Sequence, residues 1–267
     1  MIAQQTVQVL FVAWQQPESR RYYPVARLVA GVGDGHDLFE FSYIKGAEEA
    51  AKEGFQPFLA FPLLNSVYRS NELFPFFTNR LMSPNRPDFA THVRRLGLEA
   101  DADPMAILAR SGGTRATDSI ELFQLPVWDE SIGCYQNFFW MHGFRHLTPE
   151  QQGRIAALVP DDELVARHEA TNAADPTALQ LFSPDGAFVG YIPRYLASDA
   201  VHLLRQCEYF KVFVERVNQE PAPTQQRLLC RLESCWPTGF VPCAQEVYQP
   251  VSSDAVKLDP CGANPTT

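Results

Sequence analysis

The sequence predicts an α+β protein built from two units, and three observations lead there. Short segments of alternating apolar and polar residues recur from the N-terminus, separated by Gly- and Asp-rich turns, as antiparallel strands require. Other segments carry helical spacing and open on Asp-Pro or Thr-Pro, which are helix start signals. A connector, PVWDESI at residues 126–132, separates one such mixture from another. The 267 residues suffice for two ordinary domains, and 46% apolar with 20% charged residues is the balance of a packed chain.

In the first unit, residues 6–14 (TVQVLFVAW) and 22–29 (YYPVARLV) read as strands. GVGDGH at 31–36 supplies a hairpin turn, and LFEFSYI a third strand. Pro57 and Pro62 argue against a continuous helix in FQPFLAFPLL. From Asn71 the pattern is helical through NELFPFFTNRLM, PDFATHVRRLGL and ADPMAILARSG, with Phe74, Phe77 and Leu81 spaced for one face. Asp103 is a cap with Pro104 at the first helical position, and Gly112-Gly113 ends that helix. DSIELFQL closes the unit as a strand. The resulting picture is a small antiparallel sheet with helices over residues 1–126.

The second unit, residues 132–236, opens with a strand over 135–144. Thr148 and Gln151 form a capping box with Pro149 between them, so 148–158 is a helix. Strands follow at about 162–169, 177–183 and 187–192, from the same alternation. A helix over 195–205 places Leu196, Ala200, Leu203 and Cys207 on one face, and strands at about 208–217 and 226–234 complete the unit, by the same periods. Residues 237–267, rich in Pro, Ser and Thr, read as a largely irregular tail with a disordered end.

Net charge is −9, unevenly spread. Residues 1–128 hold 12 basic and 14 acidic side chains, a net −2; residues 129–267 hold 10 and 17, a net −7. A protein that grips many phosphates carries a basic stripe, because affinity comes largely from counterion release. Broad non-specific nucleic-acid binding is therefore not expected, which leaves room for a local pocket. No apolar run reaches spanning length, and the N-terminus lacks a basic leader, so a cytoplasmic protein is expected. The six cysteines then read as reduced thiols. Cys230, Cys235 and Cys243 contain no tight pair of the CxxC kind, which makes buried structural cysteines a better reading than zinc.

Three constellations carry chemistry. Gly143-Phe144-Arg145-His146 ends the first strand of the second unit. Glu169, Asn172 and Asp175 lie in an acidic turn before Ala178. Asp185-Gly186 is a hairpin signal ahead of Gly190-Tyr191-Ile192-Pro193-Arg194, where Gly190 allows another backbone to approach and Pro193 leads into a helix. Each alone reads as turn chemistry. In this order and spacing, with Ala197 beyond, they resemble the HIRAN domain over about residues 134–236. The resemblance implies an OB-type β-barrel with one or two helices and a pocket for the 3′ end of a DNA strand. It implies DNA-binding roles for Arg145, His146, Asp175, Tyr191 and Arg194, and a setting in DNA repair or in defence against foreign DNA. An arginine suits a phosphate and a carboxylate accepts a hydrogen bond from a 3′-hydroxyl. The sequence departs from the pattern at two stacking aromatics, replaced by His146 and Ala174. Histidine still stacks and alanine does not; one lost platform weakens binding about tenfold or more.

The first unit resembles the N-terminal subdomain of HipA-type kinases, on Phe61-Pro62-Leu63 and on Pro75-Phe76-Phe77-Thr78-Asn79-Arg80-Leu81, though it continues Met82-Ser83-Pro84-Asn85 rather than Leu-Pro-Glu-Gly. The ATP-binding and catalytic parts of such a kinase are missing, so kinase activity is not implied. Gly31, Gly33 and Gly35 lack dinucleotide spacing and lie between strands, and Ser42-Tyr43-Ile44-Lys45 has none of the companions an acyl-serine enzyme needs. His142 and His146 lie at a strand end without a zinc-protease signature. The expectation is a non-enzymatic nucleic-acid-binding protein without cofactor or metal that reads DNA 3′ ends or single-stranded DNA. The alternative is a protein-interaction adaptor, an antitoxin-like partner of a HipA-type kinase.

Overall fold

In a computed structural model, which describes residues 7–31, 38–129, 133–173 and 175–258, the alternating segments pair as two antiparallel sheets. The fold is α+β. The glycine turn beyond Gly31 (residues 32–37) and the tail's last residues, 259–267, fall outside the described residues.

The chain divides into two compact units, one formed by Met1–Leu125 with Cys243–Pro260 and one containing Pro126–Pro242. In the first, β1 (Gln8–Gln15), β2 (Tyr22–Ala30), β3 (Phe39–Tyr43), β4 (Val67–Ser70) and β5 (Ile120–Gln124) stand in the order β4-β3-β2-β1-β5. Four helices join them: α1 (Gly46–Lys52), α2 (Pro75–Thr78), α3 (Phe89–Arg95) and α4 (Pro104–Ser111). The Asp103 carboxylate accepts from Met105 N at 2.8 Å and Ala106 N at 3.1 Å, and Gly112 ends α4 in the left-handed region at φ 69°. Both signals act where the sequence puts them. Sequence patterning does not reveal α1 and β4.

The helix expected over 71–82 shrinks to the four residues of α2. Its aromatics are used on several sides. Phe77 is fully buried beside Phe41, while Phe76 packs on Phe58 and Phe61 and Phe74 on Phe61. A longer helix would present one stripe. The proline-interrupted loop is ordered by one hydroxyl: Tyr43 Oη donates to the Phe61 carbonyl and accepts from Phe58 N–H, both at 2.8 Å. Burial pushes this phenol well above its ordinary range.

Residues 243–258 do not stand apart as a tail. Val251 N–H donates to the Tyr43 carbonyl at 3.0 Å and Lys45 N–H to Gln249 at 2.9 Å. Val256 N–H donates to Glu40 Oε1 at 2.7 Å, and the Arg27 guanidinium donates to the Val256 carbonyl. Glu40 is fully buried and Arg27 nearly so. The segment is irregular because its contacts are made by backbone and buried charge, which composition does not reveal.

The second unit holds β6 (Val127–Asp129), β7 (Cys134–Trp140), β8 (Glu163–His168), β9 (Leu179–Phe182), β10 (Phe188–Tyr191), β11 (Phe210–Val217) and β12 (Leu228–Ser234), with α5 (Pro149–Ala157) and α6 (Arg194–Gln206). Their order is β10-β9-β8-β11-β12-β7-β6. Thr148 caps α5 through the complete box: its hydroxyl accepts from Gln151 N–H at 3.3 Å, and its own N–H donates to the Gln151 amide oxygen at 2.9 Å. The expected connector contributes β6 at the sheet edge.

The expected barrel does not close. β7 ends at Trp140, and the turn at Gly143 (φ 96°) carries the chain away. Beyond β7 the backbone pairing with β10 among the described residues is the isolated pair His142–Tyr191, through two hydrogen bonds of 2.9 and 3.0 Å. The cysteines also depart from the all-reduced expectation. Cys207, just past α6, is disulfide-bonded to Cys235, just past β12, with Cα atoms 5.8 Å apart. Cys134, Cys230 and Cys243 are buried and outside that disulfide, and burial raises the Cys230 thiol pKa. Thus Cys235 is bonded to Cys207, whereas Cys230 and Cys243 are buried outside that bond. No helix among the described residues is long and apolar enough to cross a membrane.

Candidate nucleic-acid interface

Tyr191 ends β10 and joins the three constellations. Its backbone pairs with His142, one residue before the turn that carries Arg145 and His146. Its hydroxyl donates to Glu169 Oε2 at 3.2 Å, at the start of the acidic turn. Pro193, two residues on, is the N-cap of α6, and Arg194 is the first helical residue. Gly190 makes this junction possible. A Cβ there would come within 2.6 Å of Met141 Cγ and 2.7 Å of the His142 carbonyl oxygen.

The acidic turn is internally braced. Asn172 donates its amide to Glu169 at 2.7 Å and accepts from Asp175 N–H at 3.1 Å. Asp175 Oδ1 accepts from Thr177 N–H at 2.9 Å and from the Thr177 hydroxyl at 2.6 Å. Oδ2 faces Arg194 Nε at 3.4 Å, with side-chain exposures of 15% and 28%. That distance is long for a charge-assisted bond. Oδ2 can therefore take a new donor with little loss, while Oδ1 keeps the carboxylate in place.

His168 and Arg205, which sequence reasoning does not single out, support the turn. His168 Nε2 lies 2.8 Å from the Pro176 carbonyl, and Arg205 lies 3.2 Å from His168 Nδ1. With Nε2–H donated to the carbonyl, Nδ1 is the acceptor, so the contacts define one neutral tautomer. The signal for this role is weak in sequence, because the partners are 37 residues apart.

Asp175 and Arg194 are thus directly paired, and Tyr191 is tied to their turn through Glu169. Arg145 and His146 lie on the neighbouring turn, both exposed, with Arg145 Nε donating to His146 Nε2 at 3.0 Å. Among the described residues neither contacts Asp175 or Arg194, and Arg145 enters no ion pair. Ala174 lies outside the described residues. Three other cations of this unit are matched by carboxylates: Arg231 by Asp161, Glu215 and Glu233, Lys211 by Glu163, and Arg154 by Asp185. Among the described residues no group of three or more His, Cys, Asp or Glu is placed to hold a metal ion.

No family model and no curated protein matches the sequence. Among solved structures, a protein from Lactobacillus plantarum is similar over 37% of this chain and 96% of its own, at 19% identity and a TM-score of 0.31. The HIRAN domain of human HLTF is similar over 37% of this chain and 71% of its own, at 13% identity and a TM-score of 0.28.

Proposed function

We propose that this chain is a non-enzymatic protein that binds the 3′ end of a DNA strand, or single-stranded DNA near that end, through the surface around Tyr191. One observation carries the reading: three turns distant in sequence meet at Tyr191, one of them with the loosely paired Asp175 carboxylate facing Arg194 and another with the exposed Arg145, which enters no ion pair among the described residues. A terminal hydroxyl donates to Asp175 Oδ2, and Arg194, released from it, pairs with the adjoining phosphate. Arg145 takes a further phosphate and His146 stacks on a base. The acidic remainder of the unit limits binding to a few phosphates, so salt dependence is shallow. The setting that fits such a reader is DNA repair or defence against foreign DNA.

Fluorescence anisotropy with single strands ending in a 3′-hydroxyl or a 3′-phosphate, at two salt concentrations, tests this. The hydroxyl end is expected to bind about tenfold tighter, and Asp175→Asn to reduce that preference. Equal affinity for the two ends removes the role of Asp175. A second reading, a protein-interaction adaptor partnering a HipA-type kinase, draws on the first unit, where Leu59 is fully exposed and Leu63 is 62% exposed. Absence of binding to either strand at low salt favours it.

A further inference from the structure

A cleft of about 340 Å³ lies in the second unit, between the Phe144–His146 turn, α5 and the chain that links β11 to β12. Its volume is at the lower end of small-molecule sites. Phe144, Ile155, Ala156 and Val217 give it an apolar side, while Arg145 and Arg227 are its two cations. Arg227 is the unusual group. Its side chain is only 13% exposed, its guanidinium lies 5.7 Å from the Phe144 ring centroid, and its Nε is buried without a hydrogen-bond partner. Its ion-pair partner among the described residues, Glu220, is 88% exposed and 3.1 Å away.

This arrangement is poorly satisfied as it stands. A buried donor left without a partner is costly, and an ion pair to a carboxylate so exposed contributes little. The other polar side chains are already committed. Gln219 donates to the Ala156 carbonyl at 3.1 Å, Gln152 to Leu147 at 3.1 Å, and Asn218 to Gln226 at 2.9 Å. The groups able to meet a ligand are the Arg227 guanidinium, the Arg145 guanidinium, whose Nε alone is given to His146, and the Thr224 hydroxyl, held only by a 3.5 Å contact to Gln225, beside an aromatic ring. With Glu220 swung into solvent, two positive charges face an apolar wall inside a chain of net −9. Planar guanidiniums bind phosphate in two-pronged fashion.

We infer that this cleft binds one nucleotide unit, its phosphate on Arg227 and Arg145 in place of the Glu220 carboxylate and its base or sugar against Phe144. The inference rests on the nucleic-acid reading above for its ligand class, and it adds a subsite that does not use Asp175 or Arg194. The same chemistry has two sources, a free nucleotide or an internal unit of a bound strand.

Titration calorimetry on the full chain separates the possibilities, using thymidine 5′-monophosphate, thymidine and a short oligothymidylate. The monophosphate is expected to bind at least about tenfold tighter than thymidine. Arg227→Gln is expected to weaken it by a similar factor, and Glu220→Gln, an exposed substitution, to tighten it about threefold by removing the competing carboxylate. Equal binding of monophosphate and thymidine overturns the proposal, as does an unchanged or lower affinity in Glu220→Gln, a test that stands even if Arg227→Gln fails to fold. A parallel loss of oligothymidylate affinity in Arg227→Gln identifies the strand as the source; loss for the monophosphate alone identifies the free nucleotide. Asp175→Asn is expected to leave monophosphate affinity intact. If end preference is absent while the cleft still prefers the phosphate, the end reading falls and the subsite stands; the converse result removes the subsite alone.

Discussion

At Gly190 the backbone carries φ +148°, and the space a side chain would need is filled by Met141 and the His142 carbonyl. The residue is glycine for two reasons at once, conformation and contact. Gly190→Ala is expected to lower unfolding stability by about 2 kcal/mol or more, since neither the Met141 stem nor a strand backbone can retreat freely. Gly186→Ala, at φ +85° in open space, tests conformation without contact and is expected to lose about 1 kcal/mol. Urea unfolding midpoints check both, and equal losses would mean that the approach of Met141 is soft. The close approach at Gly190 is legible in sequence, because Gly next to an aromatic in a short strand has few other uses. Its partner is not, because Met141 lies 49 positions earlier and nothing local encodes that distance. The same holds at the site. Glu169, Asn172 and Tyr191 are visible as polar residues in ordered motifs, but the Tyr191 hydroxyl reaches Glu169 across 22 positions of sequence, which no local signal encodes.

Among the elements, those with a complete local signal form where the sequence says. Both α4 and α5 have a side-chain cap and a proline at the first helical position, and these act within four residues. Elements that depend on distant packing are harder to read, as the shortened α2 shows. The end of α6 belongs to the second kind. Helical spacing puts Cys207 on the buried face as a thiol, whereas the disulfide to Cys235 ties the helix end to the end of β12, a link that spacing alone cannot disclose. Replacing both cysteines by serine is expected to reduce unfolding stability by about 2–4 kcal/mol, through the chain entropy returned to the unfolded state. Alkylation of the denatured chain without reductant, followed by peptide mapping, is expected to leave Cys207 and Cys235 unmodified. Modification of both would show that the sulfurs are neighbours without a bond.

For the whole molecule, the informative feature is the path of the chain. It leaves the first unit at Leu125, builds the second through Pro242, and returns to the first with Cys243. The first unit is therefore completed by residues that follow the second, and composition conceals this, since a Pro- and Ser-rich stretch has little periodic apolar content to announce that it packs. What holds it is a buried polar arrangement. Glu40 accepts from Val256 N–H and from Arg69, and Arg27 donates to the Val256 carbonyl and to the Ser42 hydroxyl at 3.2 Å. Burial lowers the Arg27 pKa while Glu40 opposes the shift, so the guanidinium depends on these acceptors to remain a stable buried cation. A chain ending at Pro242 would keep both charges and lose the backbone groups that meet them. Because uncompensated buried charge is costly, at about 3–5 kcal/mol when a partner is removed, hydrogen exchange in β1, β2 and β3 is expected to accelerate strongly in that truncation. The amides of β7, β11 and β12, which lie in the other unit, are expected to keep their protection. Unchanged exchange in the first sheet would mean that water can replace Val256, and that the returning segment covers the first unit without supporting it.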